Sequence, residues 1–219
     1  MKERPIIFSG ERIRAILDGR KTQTRRLNGL GEINKRPNDW VYEGTNIHGD
    51  HLFTDTAALI VGEHPPDAIK IIKSPYGALG DRLWVRENSF LRAADDKSWF
   101  DIAYMALGED DEVKQFDLWP PPSPYKNFRK TVPSMHMPRW ASRITLEIVN
   151  VRVERLQEIS VGDIYAEGFE RKYLPEGNGV TSSLGHIRSE FGYLWDSING
   201  KRAPWSSNPY VWVLEFKKL

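Results

Sequence analysis

The sequence predicts an α+β fold in which a small β-barrel of mixed or antiparallel strands is flanked by helices. Two observations predict this class. The expected order of elements is strand, helix, several strands, helix, helix, strand, which is not the regular alternation of a doubly wound parallel sheet. Hydrophobic residues make up 40% of the 219 residues, enough to bury one full core or two small ones. We expect a single domain over residues 1–219.

The N-terminal elements follow from short local patterns. Residues 5–8 are apolar and predict an edge strand. Ser9 can cap a helix in which Ile13 and Ile16 lie three positions apart on one face, and Gly19 provides its end. The polar stretch after this glycine is rich in threonine, which favours a strand.

Two segments are predicted to be insertions into the barrel, at about 28–75 and 92–135. The first contains scattered Gly, Asn, Pro and His, with strands predicted at 40–43 and 69–73. The second is expected to be irregular, with acidic runs and a proline-rich segment at 119–124 that favours extended polyproline geometry. A docked proline-rich arm and a surface loop both remain open for that segment.

The remaining elements lie after residue 80 and show clearer periodicity. They are a strand at 82–87, an alternating strand from Ile144 through Val153 with a register break near Asn150, a short helix capped by Ser160 and Asp163 and ended by Gly168, a helix over 186–198, and a strand over 210–216.

The charge balance excludes a globally basic nucleic-acid binder. Lys and Arg total 31 against 30 for Asp and Glu, which gives a net charge of +1. Any nucleic-acid binding must therefore depend on a local basic patch. Such a patch exists in the sequence, where Arg20, Lys21, Arg25 and Arg26 fall close together.

The composition also excludes several kinds of site. The chain has no cysteine, which excludes disulfides, thiolate zinc ligands and a cysteine nucleophile. The histidines at 48 and 51 do not fall in a helical pattern, and we expect surface or loop positions, no metal and no cofactor. The N-terminus does not resemble a signal peptide, and no apolar run approaches the roughly 20 residues of a membrane span. We expect a soluble, cytoplasmic protein.

Several segments together resemble one known family. The first two are a helix followed by Gly-Arg-Lys-Thr-Gln-Thr-Arg-Arg over 16–26 and a Gly-Asp turn leading into a hydrophobic strand over 80–87. The third is a strand and helix over 144–169, and the fourth is the closing strand at 211–216. This combination resembles the ASCH family of the PUA-like superfamily. With the segments at 137–143 and 194–200, the chain resembles the longer, uncharacterised members encoded by tailed phages and prophages.

The resemblance implies a PUA-like β-barrel with a cleft that binds RNA or nucleotides. Some bacterial members are amidohydrolases that remove the acetyl group from N4-acetylcytidine, using a lysine, a threonine and a glutamate. Lys21, Thr24 and Glu167 match these three by motif position. Other members are ribonucleases or RNA binders. The two insertions depart from the compact members and can reshape the cleft.

Amide hydrolysis requires particular protonation states and positions of Lys21, Thr24 and Glu167. Threonine needs a base to become a nucleophile, and lysine, whose usual pKa is about 10.4, serves as one only if burial or neighbouring cations lower that pKa. A close Glu167 would instead raise the pKa of Lys21. A regular strand also places positions 21 and 24 on opposite faces, so a shared site requires a turn or bulge. The alternative is an ordinary solvated edge strand.

Further aromatic and basic residues are candidates for binding a nucleic acid or substrate. Arg139 and Arg143 can grip phosphate, and Trp140 can stack on a base. Alternation places Trp84 and Arg86 on one face of their strand. The alternative is that these tryptophans, like most of the eight in the chain, are packing anchors and that the arginines pair with carboxylates.

Four functions follow from these observations as hypotheses. The first is binding and amide hydrolysis of a modified nucleoside, the second is RNA binding without catalysis, and the third is a ribonuclease. The fourth is a phage accessory module that binds another protein through the proline-rich segment at 119–124 and the acidic insertion.

Overall fold

A computed structural model describes residues 1–61, 68–93, 99–106, 113–116, 121–125, 131–170 and 184–219. Their fold is α+β, as the sequence predicts. The helices are α1 (Gly10–Leu17), α2 (Gly31–Lys35), α3 (Thr56–Val61), α4 (Val161–Ala166) and α5 (Leu184–Asn199). The strands are β1 (Glu3–Ile7), β2 (Gln23–Arg26), β3 (Trp40–Thr45), β4 (His51–Asp55), β5 (Ile69–Ile72), β6 (Arg82–Arg86), β7 (Ser89–Ala93), β8 (Phe100–Tyr104), β9 (Val113–Phe116), β10 (Thr131–Val132), β11 (Thr145–Arg155) and β12 (Tyr210–Lys218).

The chain divides into two compact units, and neither is a continuous stretch. Unit 1 comprises Met1–Arg20, Gly80–Ile148 and Lys217–Leu219, and unit 2 comprises Lys21–Leu79 and Val149–Phe216. Strands β11 and β12 each begin in one unit and end in the other. The single domain expected from the sequence stays a prediction.

Unit 1 contains the predicted edge strand. Strand β1 pairs in parallel with β6, and β6 pairs antiparallel with the start of β11. Helix α1 follows directly and buries Ile13 and Ile16, as its spacing predicts. Ser9 occupies the N-cap position without a side-chain cap hydrogen bond, and Gly19 ends the helix with a φ of 74°.

The segment at 92–135, expected to be irregular, contains a sheet. Strands β10, β7, β8 and β9 pair in that order. Strand β8 is buried along its whole length, and Asp101 within it forms an ion pair with Arg92 at 3.0 Å. Phe100, Ile102 and Tyr104 alternate with Asp101 and Ala103, but the stretch is only five residues long and lies between acidic runs, so the strand was not predicted. The acidic runs at 95–96 and 109–112, together with Trp119 and Pro120 of the proline-rich segment, lie outside the described residues.

Unit 2 contains two open sheets in its described residues. The end of β11, then β12 and β2 form one, with β12 and β2 antiparallel. Strands β3, β4 and β5 form the other, so the strands predicted at 40–43 and 69–73 are present and β4 lies between them. Neither sheet closes into a barrel among these described residues, so the predicted barrel is not confirmed.

The core of unit 2 packs α4 and α5 against the sheet that contains β12. The buried stripe of α5 consists of Ile187, Phe191 and Trp195, whereas Ile198 near the end of the helix is 54% exposed. On the sheet side, Val211 and Val213 belong to the same buried cluster. This packing fixes α4 beside the strands.

Helix α4 is defined at both ends by its sequence. The hydroxyl of Ser160 accepts a hydrogen bond from the Asp163 amide at 3.0 Å, and the Asp163 carboxylate accepts one from the Ser160 amide at 3.3 Å. This is the capping box that the sequence predicts. At the other end Glu167 is the C-cap residue and Gly168 has a φ of 77°. The buried side chain of Ile164 anchors the helix between these ends.

We expect Ser160→Ala to lower the free energy of unfolding by about 1 kcal/mol, because the first turn of α4 loses its cap. Urea or guanidinium unfolding followed by circular dichroism measures the change. Ser206→Ala is the control, since Ser206 is an exposed serine in the turn before β12. Equal unfolding midpoints for the Ser160 variant and the wild type would contradict the expected role of this cap.

Candidate functional site

The centre of the candidate site in unit 2 is an ion pair between Lys21 and Glu167. The two residues form an isolated antiparallel bridge, and the neighbouring Thr22 amide donates to the Ala166 carbonyl at 2.9 Å. Partners in such a bridge have side chains on the same face. As a result, residues 146 positions apart in sequence meet, with Lys21 Nζ 2.8 Å from Glu167 Oε2.

All three protons of the Lys21 ammonium are donated. Besides the Glu167 carboxylate, Nζ donates to the backbone carbonyls of Gln23 at 2.7 Å and Glu167 at 2.8 Å. The lysine side chain is 0% exposed and that of Glu167 is 6% exposed. An ammonium held in this way has no lone pair with which to accept a proton. In this arrangement Lys21 is a fixed buried cation and not a base.

Arg25 binds the other oxygen of the Glu167 carboxylate. Its Nη1 donates to Glu167 Oε1 at 3.2 Å, its Nε donates to Glu154 Oε1 at 2.9 Å, and its Nη2 contacts Glu154 and lies 3.4 Å from Asp163 Oδ2. The arginine side chain is 1% exposed. Its guanidinium is therefore occupied by internal carboxylates, whereas the sequence interpretation assigned it to a nucleic acid or substrate.

A second layer of charges surrounds this centre. Gln23 donates to Asp163 Oδ1 at 2.8 Å, and Arg152 bridges Asp163 at 3.3 Å, Glu154 at 3.2 Å and Glu215. We call the whole set the buried charge network; its members are Lys21, Gln23, Arg25, Arg152, Glu154, Asp163, Glu167 and Glu215. It contains three cations and four carboxylates, so the negative charges are in slight excess.

The environment of Asp163 favours its ionised form. Burial alone would raise the pKa of this carboxyl, but hydrogen bonds from Gln23 and Ser160 and the charge of Arg25 outweigh burial and hold the pKa below its usual value. Asp163 thus links the cap of α4 to the arginine on β2. One side chain fixes both the helix start and the charge arrangement.

Thr24 lies on the other face of β2. The pairing of β2 with β12 is regular, with Thr24 opposite Leu214 and Arg26 opposite Trp212. Because side chains alternate along a strand, Thr24 and Arg26 project away from the face that carries Gln23 and Arg25. Thr24 is 1% exposed. The structure therefore brings Lys21 and Glu167 together and leaves Thr24 on the opposite face; the three catalytic roles stay predictions.

Arg26 is half-buried and His51 is buried, and both lie near aromatic residues of unit 2. The charge of Arg26 acts on Tyr76, whose pKa is nevertheless raised, chiefly by burial. His51 was expected at the surface or in a loop, but it lies in β4 and is only 2% exposed. Its Nδ1 is 2.9 Å from the Tyr42 hydroxyl, and its ring is edge-on to Trp212. Burial lowers the pKa of His51. The two apolar residues of β4, Leu52 and Phe53, are adjacent, so the sequence has no alternating pattern that would predict this strand.

The remaining binding candidates lie in unit 1 and have three kinds of environment. Arg20 forms an exposed ion pair with Asp18 at 2.7 Å. Trp84, Arg86 and Arg139 share one sheet face: the Arg86 guanidinium covers the Trp84 ring at 4.6 Å, and Arg139 reaches Thr145, the register partner of Trp84, at 3.2 Å.

Trp140 and Arg143 have internal roles in unit 1. Arg143 binds the buried Glu87 carboxylate through two contacts of 3.0 Å and stacks over the Tyr104 ring at 4.2 Å. Trp140 packs edge-on against Phe116 and Tyr125 at ring-centroid distances of 5.3 and 5.5 Å. For these two residues the contacts agree with the packing alternative considered from the sequence.

The sequence analysis missed four members of the buried charge network and gave a fifth only part of its role. Arg152 and Glu154 alternate along β11 and, like Gln23 and Glu215, had no predicted role, and Asp163 was assigned only to the helix cap. The signal was present as charged residues at alternate positions of a strand that also carries apolar ones. Their partners lie far away in sequence, so only the folded chain identifies them.

In the described ranges, no group of three or more His, Asp or Glu residues could hold a metal ion. The helices described above include none long and apolar enough to cross a membrane. No family model, curated protein or solved structure matches this chain.

We expect Lys21→Met to lower the free energy of unfolding by about 3–5 kcal/mol, because it removes a buried cation from Glu167. The control is Lys35→Met, since Lys35 also pairs with a glutamate, at 2.7 Å, but its side chain is 70% exposed. Denaturant unfolding of both variants measures the contrast. Similar midpoints for the two variants would show that burial of the Lys21 pair does not control stability.

The shifted pKa of Asp163 predicts a pH-dependent effect of Asp163→Asn. The folded-state pKa is below the unfolded value of about 3.9, so ionised Asp163 stabilises the fold above that pH and the contribution is lost as the pH falls through the folded-state value. We expect the variant to be less stable than the wild type near pH 6 and the difference to shrink as the pH approaches about 3. Unfolding curves across this range test it, and a constant difference would contradict the linkage.

Proposed function

We propose that unit 2 binds a nucleoside or nucleotide at the Lys21–Glu167 pair and hydrolyses an N4-acyl amide on a cytidine-type base. The proposal follows the resemblance of residues 16–26 and 144–169 to the ASCH family, with the PUA-like barrel and the phage-encoded, cytoplasmic protein that this resemblance implies. The observation that carries it is the 2.8 Å contact between Lys21 and Glu167.

The energetics of this contact support a functional role. Two charges with almost no solvent contact are costly to bury, and replacing such a pair by apolar residues is often neutral or stabilising. Perturbed, desolvated ion pairs are frequent at functional sites. Here Arg25 and Lys21 occupy separate oxygens of Glu167, so one carboxylate is oriented by two cations. A geometry of this kind positions a carboxylate for hydrogen bonding to a polar ligand.

Hydrolysis adds the elements of water across the amide, which breaks the exocyclic C–N bond and releases a carboxylic acid and the free amine. Thr24 supplies the nucleophile in the mechanism that the resemblance implies. Because Lys21 is held as an ammonium with all three Nζ protons donated, it can act as the base only after it transfers one of these protons to the Glu167 carboxylate, 2.8 Å away. The lone pair freed in this way accepts the Thr24 hydroxyl proton, which then passes to the leaving amine. A path from Thr24 to this face also requires β2 to shift locally.

The test is hydrolysis of N4-acetylcytidine by the wild type and by variants at position 24. We expect Thr24→Val to abolish turnover, because it keeps the shape and removes the hydroxyl, and Thr24→Ser to retain it in part. Thr22→Val is the matched control, since Thr22 is an exposed threonine two positions away. The assay follows release of cytidine by chromatography, with circular dichroism as the check on folding.

Other outcomes of this experiment would favour a different function for the protein. Turnover that survives Thr24→Val would remove the threonine from the reaction. Nucleoside binding without turnover would favour a non-catalytic RNA-binding protein, and cleavage of RNA would favour a ribonuclease. Neither binding nor turnover would leave the accessory protein-interaction role.

A further inference from the structure

One face of the unit 1 sheet has a tryptophan at its centre and arginines on either side. Within this unit β6 lies between β1 and the start of β11, and Trp84 is level with Pro5 and Thr145. Arg82 and Arg86 lie two positions before and after Trp84, so all three side chains project from the same face. We call this surface the Trp84 face; it consists of Glu3, Pro5, Ile7, Arg82, Trp84, Arg86, Thr145 and Glu147.

Two more cations reach this face from neighbouring segments. Arg139 binds Glu3 at 2.7 Å, and Lys217 binds Glu147 at 3.2 Å. The carboxylates of the face are therefore already paired with these two cations. In the part of the chain that the structure describes, Arg82 and Arg86 have no carboxylate within ion-pair distance. The face has an excess of positive charge that a polyanion can neutralise.

The Arg86 side chain forms a flat polar surface over Trp84. Its guanidinium covers the indole at 4.6 Å, and its Nη1 donates to the Met135 carbonyl at 3.2 Å. Trp84 itself is only 8% exposed, so it supports the guanidinium from beneath and is not the outer surface. Beside it, Ile7 is 43% exposed and Met135 is 62% exposed, which gives the arginine an apolar border.

We propose that the Trp84 face binds a single-stranded nucleic acid. An unpaired base stacks on the Arg86 guanidinium, as bases stack on arginine planes elsewhere, while Arg82 contacts a phosphate. A duplex keeps its bases stacked inside and offers this face only phosphates. An acidic peptide matches the charge but supplies no planar group for the arginine. The proposal is independent of the hydrolysis proposed for unit 2.

Fluorescence anisotropy with a labelled RNA of about 12 nucleotides tests the proposal, with DNA of the same sequence, the RNA duplex and polyglutamate as further arms. We expect the single strands to bind more tightly than the duplex and polyglutamate, and the affinity to fall between about 50 and 200 mM salt. Arg86→Ala weakens binding about tenfold or more. Arg86→Lys also weakens binding but keeps the salt slope, because the charge stays and the plane is lost.

Two further variants complete the experiment. Arg82→Ala reduces the salt slope by about one, as expected for a lost phosphate contact. Arg36→Ala leaves binding unchanged, because Arg36 is an exposed arginine of unit 2 with a side chain 77% exposed. Circular dichroism shows whether each variant is folded. If Arg86→Ala does not fold, Arg86→Lys still tests the role of the guanidinium plane.

The proposal is overturned by any of three results. The first is no binding of a single strand by the wild type at low salt, and the second is equal binding by the wild type, Arg86→Ala and Arg86→Lys. The third is binding of the duplex or of polyglutamate as tightly as the single strand. None of these three results tests the proposed hydrolysis of a free nucleoside. Likewise, an absence of hydrolysis does not contradict the proposed binding of a single strand by the Trp84 face.

Discussion

The buried ammonium of Lys21 imposes the strictest requirement in unit 2. A charge that reaches no solvent must be matched by acceptors at hydrogen-bond distance, since an uncompensated one costs several kcal/mol. The acceptors come from β2 itself and from the end of α4, so the strand and the helix are held in one arrangement. The capping box of α4 and the glycine after it bring Glu167 to the required position.

The buried charge network changes the interpretation of the basic cluster in the sequence. Arg20, Lys21, Arg25 and Arg26 are close together in the chain but have different environments. Lys21 and Arg25 neutralise internal carboxylates, Arg20 is at the surface, and Arg26 projects from the opposite face of β2. Local density of positive charge in a strand therefore says little about a binding surface, because alternation separates neighbours and distant carboxylates neutralise them.

Much of the fold could be predicted because its periodicity is local. The strands β6 and β12, the helix α5 and the capping box of α4 all follow from patterns within a dozen residues. Strand β4 and the sheet formed by β7 to β10 could not be predicted, because their charged and polar residues are satisfied by partners elsewhere in the sheet. Asp101 illustrates this, since its pairing with Arg92 is invisible without the strand register.

The candidate site was predictable only in part, for a similar reason. The pairing of Lys21 with Glu167 follows from motif resemblance, and the separation of Thr24 follows from the two-residue period of a strand. The roles of Arg152 and Glu154 could not be inferred, because any of several carboxylates could have faced Arg25. The same ambiguity applied to Trp84 and Arg86, whose neighbours on β1 and β11 decide what surrounds them.

Two of the three acceptors of Lys21 are peptide carbonyls, which every amino acid supplies. Side-chain replacement at positions 23 and 167 can therefore remove at most one of the three bonds, whereas replacement at 21 removes them all. Because of this asymmetry, substitution of Lys21 is tolerated less well than substitution of Gln23 or Glu167. Among homologous chains, the glutamate would vary before the lysine does.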